Sequence, residues 1–352
     1  MPASDGGNTR EEYMSKSKRT GLSRRALMQG AATVALAAPA IAQGTRVFTF
    51  AHDEPHDTGY GFMADQFNAK LKALSGGKLS IHEFPGAQLG QEPEMAQKVR
   101  TGDIDFVINA TANTATVVPQ AGVFSLHFIF LDETHLAKSM LDPGMNALFL
   151  EMIAKNTTGA KSLGLMTLGF RKFYSKKEIK SIADIKGKKV RVQATKTEDR
   201  FFSAYGAVPV HMPIGQVYTS LETGLVDIAE NGADIYRAQK HYEVAPVLSA
   251  SNHEANNNHL WVSDKTWASL NTEEQGWVKA SFEYARGLEV PKALEYDHAA
   301  IDALSKMGVE IFTAVDRNSF IEVARPIQDE QAQALGPYAV QLLALTRKLA
   351  AT

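Results

Sequence analysis

The period of the hydrophobic positions changes repeatedly along this chain. Arg46-Val-Phe-Thr-Phe-Ala51 predicts a strand, followed by a polar loop from His52 to Thr58. Met63, Phe67, Leu71 and Leu74 then recur at helical spacing, forming one apolar stripe that Gly76-Gly77 closes. Leu79 to Phe84 predicts a short strand, and a helix through Met95 and Val99 ends at Gly102. Ile104-Asp-Phe-Val-Ile108 predicts a buried strand. Strands alternating with helices place the chain in the α/β class, with mostly parallel pairing.

A second round of the same alternation opens with the strand Lys189-Val-Arg-Val192. Its helix runs from about Gln216 to Glu222, is closed by Gly224, and leads into a strand at Val226-Asp-Ile228. The junctions Thr101-Gly-Asp-Ile-Asp105 and Thr223-Gly-Leu-Val-Asp227 match in spacing, and four residues on they pair Asn109 with Asn231. Two similar lobes would each carry an asparagine just past the carboxyl end of a strand, where open sheets bind ligands. Asn271-Thr-Glu-Glu274 predicts a capped helix start, with helical pattern to about Met307 interrupted at Pro291. A helix that long should run across both lobes, kinked at the proline. Phe320 to Leu349 predicts an amphipathic helical tail. The absence of a Ser/Gly-rich linker predicts short connections between lobes.

The first 42 residues change the picture of compartment. Lys16, Lys18, Arg19, Arg24 and Arg25 precede an uncharged run from Ala26 to Ala42 that ends Ala40-Ile-Ala42. This is the layout of a secretory signal peptide, and Ser23-Arg-Arg-Ala-Leu27 fits a twin-arginine signal, which exports folded proteins. Cleavage after Ala42 would remove six basic and three acidic residues, leaving 310 residues of formal charge −5. A chain of that size can bury a large core in about two domains. Its mild acidity argues against nucleic acid or anionic lipid as a partner. The chain has no cysteine, so disulfides, thiolate metal sites and cysteine nucleophiles are excluded.

Enzyme signatures are scarce: there is no nucleophile elbow, phosphate loop, dinucleotide fingerprint or His-Glu-x-x-His. His52-Asp-Glu-Pro-His-Asp57 could serve as a metal or acid–base cluster, although Pro55 prevents a helix from aligning its two histidines. Otherwise it is a polar loop whose His52 or His56 bonds a ligand. Ser251-Asn-His-Glu-Ala-Asn-Asn-Asn-His259, before Leu260-Trp261-Val262, is either a solvated interdomain loop or a ligand-facing segment. Arg171 and Arg191 are the informative cations. Arg191 alternates with Val190 and Val192 in a strand, so it faces away from them and needs a partner. That partner is either a structural carboxylate or a bound anion.

Ile179-Lys-Ser-Ile-Ala-Asp-Ile-Lys-Gly-Lys-Lys-Val-Arg-Val192 resembles the signature of the DctP-type solute-binding proteins of TRAP (tripartite ATP-independent periplasmic) transporters. The likeness continues through Gly206-Ala-Val-Pro209, Gln216 to Asp227 and Glu230-Asn231. It also takes in Gly77 to Ile81, Pro85 to Gly90 and Gly102 to Phe106, so it covers essentially all of the mature chain. The resemblance implies a two-lobed periplasmic-binding-protein fold with a hinge and a long helix spanning both lobes. It divides the chain into a signal peptide (1–42), lobe I (43–168 plus about 257–296) and lobe II (169–256 plus about 297–352). Carried over by position, Arg191 receives the substrate carboxylate, Arg171 is a second arginine at the ligand, and Asn231 supports it. Asn109, His52, His56, Asn257 and Trp261 are further candidate contacts. A planar guanidinium suits this task because it forms two parallel, charge-assisted bonds to a carboxylate.

Gly232 stands where the family often has proline. Pro213 and Ile214 stand where an aromatic is common, so the substrate cannot be copied from a relative. The expectation is therefore a monomeric periplasmic protein with no enzymatic activity, cofactor or metal. It would deliver a small organic anion (a dicarboxylate, keto or hydroxy acid, sugar acid or sulfonate) to a sodium-driven membrane transporter. Two alternatives remain: an exported metal-dependent enzyme using His52 and His56, and a sensor subunit that binds the same ligand.

Overall fold

The computed structural model describes residues 44–351. The leader, its arginine pair and the cleavage point after Ala42 lie outside the described residues. Nine strands occur among those described: β1 (Arg46–Ala51), β2 (Leu79–Phe84), β3 (Phe106–Ala110), β4 (Ala160–Ser175), β5 (Lys189–Val192), β6 (Val208–His211), β7 (Ile228–Asn231), β8 (Val247–Ser263) and β9 (Glu310–Phe312). They pair in the order β2-β1-β3-β8-β4-β7-β5-β6, with β9 joining β8.

The order has an internal symmetry. In one half β1 lies between β2 and β3, parallel to both, and β3 is antiparallel to β8. In the other β5 lies between β6 and β7, parallel to both, and β7 is antiparallel to β4. The matched junctions of the sequence do the same work in each half. Gly102 and Gly224 end their helices at φ 79° and 74°, a region that glycine enters without steric cost. The Asp105 carboxylate accepts from the Thr49 amide of β1 at 2.8 Å, and the Asp227 carboxylate from the Lys189 amide of β5 at 2.9 Å. These aspartates tie down the neighbouring strand, so β3 and β7 begin just after them, at Phe106 and Ile228. Both starts lie two residues later than the apolar pattern suggests.

The strands β4 and β8 are the long members, antiparallel to each other along their length. Residues 160–167 of β4 face 257–263 of β8, and 170–175 face 247–255, with register breaks around Leu163-Gly164, Leu168-Gly169 and Lys172. The polar run Ser251 to His259 is therefore not a solvated loop. It forms the middle of β8 and is buried apart from a partly exposed Asn252. Its amides survive burial because many are paired: Asn256 donates to Asn231 Oδ1 (2.9 Å), Asn258 donates to the Asn256 carbonyl (2.7 Å), and the Tyr60 hydroxyl donates to Asn258. Aromatic side chains fill both halves, with Phe50, Phe67 and Phe106 in mutual contact in one and Phe173 in contact with Phe202 and Phe320 in the other.

Asn271 caps the helix Thr272–Lys306, with Asn271 and Glu274 exchanging side-chain-to-backbone bonds and Pro291 inside the helix. At about 1.5 Å per residue it is long enough to serve both halves. It packs on the helix Gly59–Ser75, on β4 and on the helix Ala233–Ala238. The amphipathic tail is two helices, Arg317–Leu335 and Pro337–Ala350, parted at Gly336 (φ 100°, ψ −174°) where the next residue is a helix-initiating proline. The last helix does not stay beside β5–β7. It returns to the helices Glu133–Leu141 and Pro143–Asn156, where His135 Nε2 meets the Thr346 carbonyl at 2.9 Å and the Tyr338 hydroxyl donates to Glu151. Residues 297–351 thus touch both halves.

Candidate functional site

Where β4 and β8 shift register, their polar side chains face a small pocket between the two halves of the sheet. One half contributes Asp53 and Glu54 from the loop after β1, Tyr60 from the next helix, Glu92 from the start of the helix Glu92–Thr101, and Asn113. The other contributes Arg171, Arg191, Gln193, Ile214 and Asn231, with Asn256 on β8. Cations come from one side and carboxyl groups from the other.

The two arginines are bonded differently. Arg171 donates from Nε and Nη2 to the Glu230 carboxylate, with Nη2 to Oε1 at 2.7 Å, and from Nη2 to the Glu230 carbonyl at 2.9 Å. Its Nη1 donates to Asn256 Oδ1 (3.0 Å) and Asn231 Oδ1 (3.4 Å). Every N–H-bearing nitrogen of Arg171 is engaged within the protein. Burial opposes its charge, but the Glu230 carboxylate more than compensates and raises its pKa further. Arg191 gives Nε and Nη2 to the Met212 carbonyl (3.1 and 2.9 Å), while its buried Nη1 lies 3.7 Å from Glu230 with no hydrogen-bond partner. Arg191 keeps a free donor in the pocket wall.

The facing carboxyl groups are held in raised protonation equilibria. Glu92 accepts from Asn113 (2.7 Å) and the Ala110 amide (3.0 Å), with the Tyr60 hydroxyl oxygen 3.3 Å away, yet burial still raises its pKa. Burial and then the charges of Glu92 and Glu54 push Asp53 well above the carboxylate range. Burial raises Glu54 to about 7, against the bond it accepts from Gln239 at 2.8 Å.

Of the residues singled out in the sequence, Arg171, Arg191 and Asn231 come together in the pocket wall, and the other five stand elsewhere. Asn109 sits behind the wall, donating to the Glu92 carbonyl at 3.1 Å. His52 and His56 both turn to Glu83 (each 2.8 Å at the nearer oxygen), tying their loop to β2 outside the pocket. That Glu83 bond raises the pKa of the exposed His56. Trp261 is buried edge-on against His259, and Asn257 is absent from the lining because alternate strand residues face opposite sides. Its neighbour Asn256 takes the place in the pocket. Asp53, Glu54, Glu92, Tyr60, Asn113 and Gln193 were not singled out. The first two carried a signal, since they lie in the polar loop that the histidines had marked.

Comparison with known proteins accounts for this geometry. Residues 50–334 match the family described as bacterial extracellular solute-binding protein, family 7 (DctP). The C4-dicarboxylate-binding periplasmic protein DctP of Rhodobacter capsulatus is 29% identical over 314 residues, covering 87% of this chain and 92% of the relative. The 2,3-diketo-L-gulonate-binding periplasmic protein YiaO of Escherichia coli is 28% identical over 272 residues, covering 77% and 82%. The crystal structure of a TRAP periplasmic solute-binding protein from Xanthobacter autotrophicus with bound β-D-galacturonate superposes with a TM-score of 0.79. It shares 28% sequence identity, with 86% of this chain and 99% of that one covered. Among the described residues no helix is long and apolar enough to cross a membrane. The chain belongs to the DctP family, the two-lobed solute-binding proteins that capture small organic anions for TRAP transporters.

Proposed function

We propose that this protein is exported, loses its leader after Ala42, and captures a sugar acid, one carboxylate carried on a chain or ring of hydroxyl groups. It works as a monomer and without catalysis, and hands the closed, loaded form to the membrane subunits of its transporter. Arg191 anchors the carboxylate, Arg171 and Asn231 shape the floor, and Asp53, Glu54 and Glu92 accept from hydroxyls. The lobes meet where β4 and β8 change register, near residues 168 and 257, and near residue 296 of the long helix. The last helix leans back on lobe I. Asn109 acts from behind Glu92 rather than as a contact.

The observation that carries this reading is the pairing of one guanidinium that has an unused donor with three carboxyl groups on the opposite wall. Hydroxyls can donate to or accept from such groups in either protonation state, whereas a second carboxylate placed there would meet like charge wherever they are ionised. A galacturonate-binding neighbour agrees with it. A metal-dependent enzyme finds no support among relatives that are transporter binding proteins, and His52 and His56 each spend a ring nitrogen on Glu83.

The test is calorimetric titration of refolded residues 43–352 with galacturonate, galactonate, succinate and neutral galactose. The sugar acids should bind and galactose should not. Arg191→Ala should weaken binding by about 30-fold or more, the cost of removing one partner of a buried charge pair. Tighter binding of succinate, or unaltered binding by the variant, would overturn the assignment.

A further inference from the structure

Behind the pocket floor lies a second polar cluster that anion capture does not use. His127 follows the turn Pro119–Ser125, and His253 and Glu254 lie on β8 where its pairing with β4 is interrupted. The His127 and His253 side chains are fully buried and that of Glu254 is 2% exposed. One donor atom from each residue lies within 4.8 Å of the others, and His127 Nε2, His253 Nε2 and Glu254 Oε2 are buried without a hydrogen-bond partner. An unsatisfied buried polar atom costs about 1–3 kcal/mol, so three converging on one point call for an occupant.

The remainder of the cluster fixes how these atoms are presented. His127 Nδ1 is bonded to the Tyr205 hydroxyl at 2.9 Å, and His253 Nδ1 to Ser251 Oγ at 2.8 Å. Each ring is also stacked on a phenylalanine, His127 on Phe201 (4.4 Å) and His253 on Phe173 (4.2 Å). Outer-shell partners of this kind orient metal-binding imidazoles and leave the other nitrogen free to ligate.

From this geometry we propose that His127, His253 and Glu254 bind one divalent transition-metal ion of the zinc class as a structural centre. Two imidazoles and a carboxylate are a donor set for that class. His127 Nε2 and Glu254 Oε2 stand 3.9 Å apart. Tetrahedral zinc, with bonds of about 2.0–2.1 Å, spaces its ligands by about 3.4 Å, a closure of about half an ångström. Because Glu254 Oε2 is also 3.8 Å from Arg171 Nε, the ion would brace the Arg171–Glu230 pair that forms the pocket floor. A metal enclosed in the core must enter before folding is complete, which gives the expected twin-arginine leader a purpose, since that route exports folded proteins.

The experiment uses the full chain, leader included, produced with zinc in the medium, exported, and purified without chelators. Metal content is measured by mass spectrometry, and crystals are examined for anomalous scattering at the zinc edge. We expect about one zinc per chain, with its peak about 2.0–2.2 Å from the three donor atoms. His253→Gln should abolish the peak, whereas His56→Gln, at the exposed His56–Asp65–Glu83 group, should leave it. A chain without zinc after production in zinc-containing medium, an ordered water without anomalous signal at that point, or zinc found only beside His56 overturns the proposal. Should His253→Gln fail to fold, the anomalous map of the unaltered protein decides alone.

Discussion

The two arginines, read together, divide binding from folding. Arg171 neutralises Glu230 and satisfies Asn231 and Asn256, so Arg171→Ala leaves a buried carboxylate uncompensated and should cost about 3–5 kcal/mol of stability in urea unfolding. Arg191→Ala leaves Glu230 still paired with Arg171, and its loss should appear chiefly in ligand affinity. If Arg171→Ala unfolds at the same urea concentration as the unaltered protein, that division is wrong. Glu54 supplies a pH test. Its folded pKa of about 7 lies above the ordinary 4.5, so its contribution to stability is full below pH 4.5 and is lost as the pH rises through 7. Between pH 5 and 8 the ligand-free protein should lose up to about 3 kcal/mol through this residue, and Glu54→Gln should lack that part of the slope. Equal slopes would show that Glu54 ionises normally. Arg191 was legible because a charge alternating with valines demands a partner, and Arg171 through the family resemblance. Asp53 and Glu54 were not, because an acid in a polar loop after a strand usually faces water, and only the fold shows these two buried.

At the scale of elements, the parallel trios and the capped long helix followed from local rules: apolar alternation in β1 and β5, αL glycines, and the Asn271–Glu274 box. The strands β4 and β8 did not. Their middles carry Arg171, Asn256, Asn257 and Asn258 where a core strand usually carries aliphatic residues, so polarity hid them; their partners come from distant segments that no local window contains. The asparagine run held a lining residue, but placing Asn256 rather than Asn257 in the pocket requires the register, since one step reverses the face. Glycine substitutions test the loop that this register serves. A Cβ on Gly61 would fall 1.9 Å from the His56 carbonyl oxygen, backbone that cannot swing aside. Gly61→Ala should therefore cost about 1–3 kcal/mol and, by displacing the loop bearing Asp53 and Glu54, weaken sugar-acid binding. Gly276, inside the long helix with nothing within 4 Å of such a Cβ, is the contrast. There alanine should raise stability by about 0.5–1 kcal/mol and leave affinity alone. Thermal unfolding and one titration per variant separate the two outcomes.

For the whole molecule, affinity depends on how readily the two sides close as well as on contacts with the ligand. Four polar contacts bridge the mouth: Gln239 with Glu54 (2.8 Å), the Ala194 amide with Asn113 (3.2 Å), the Gly215 amide with Gln91 (3.4 Å) and Arg237 with Asp57 (3.7 Å). When the sides part, each of these groups bonds water instead, so each contact favours closure by only about 0.5–1.5 kcal/mol. A ligand that joined Arg191 on one side to carboxyl groups on the other, as proposed, and bound the closed form alone would shift the balance much further. Gln239 lies outside the pocket lining, so removing it changes closure without touching the ligand. Gln239→Ala should then weaken sugar-acid binding by about 5- to 10-fold, the equivalent of one such bond, through a smaller population of the closed form. Small-angle scattering checks the cause: the saturated variant should be as compact as the saturated unaltered protein, but should need more ligand to become so. An equal decrease in affinity for every ligand tested fits a closure effect. A decrease for one sugar acid alone would make Gln239 a ligand contact, and unchanged affinity would mean that the Glu54 bond contributes nothing to closing the lobes.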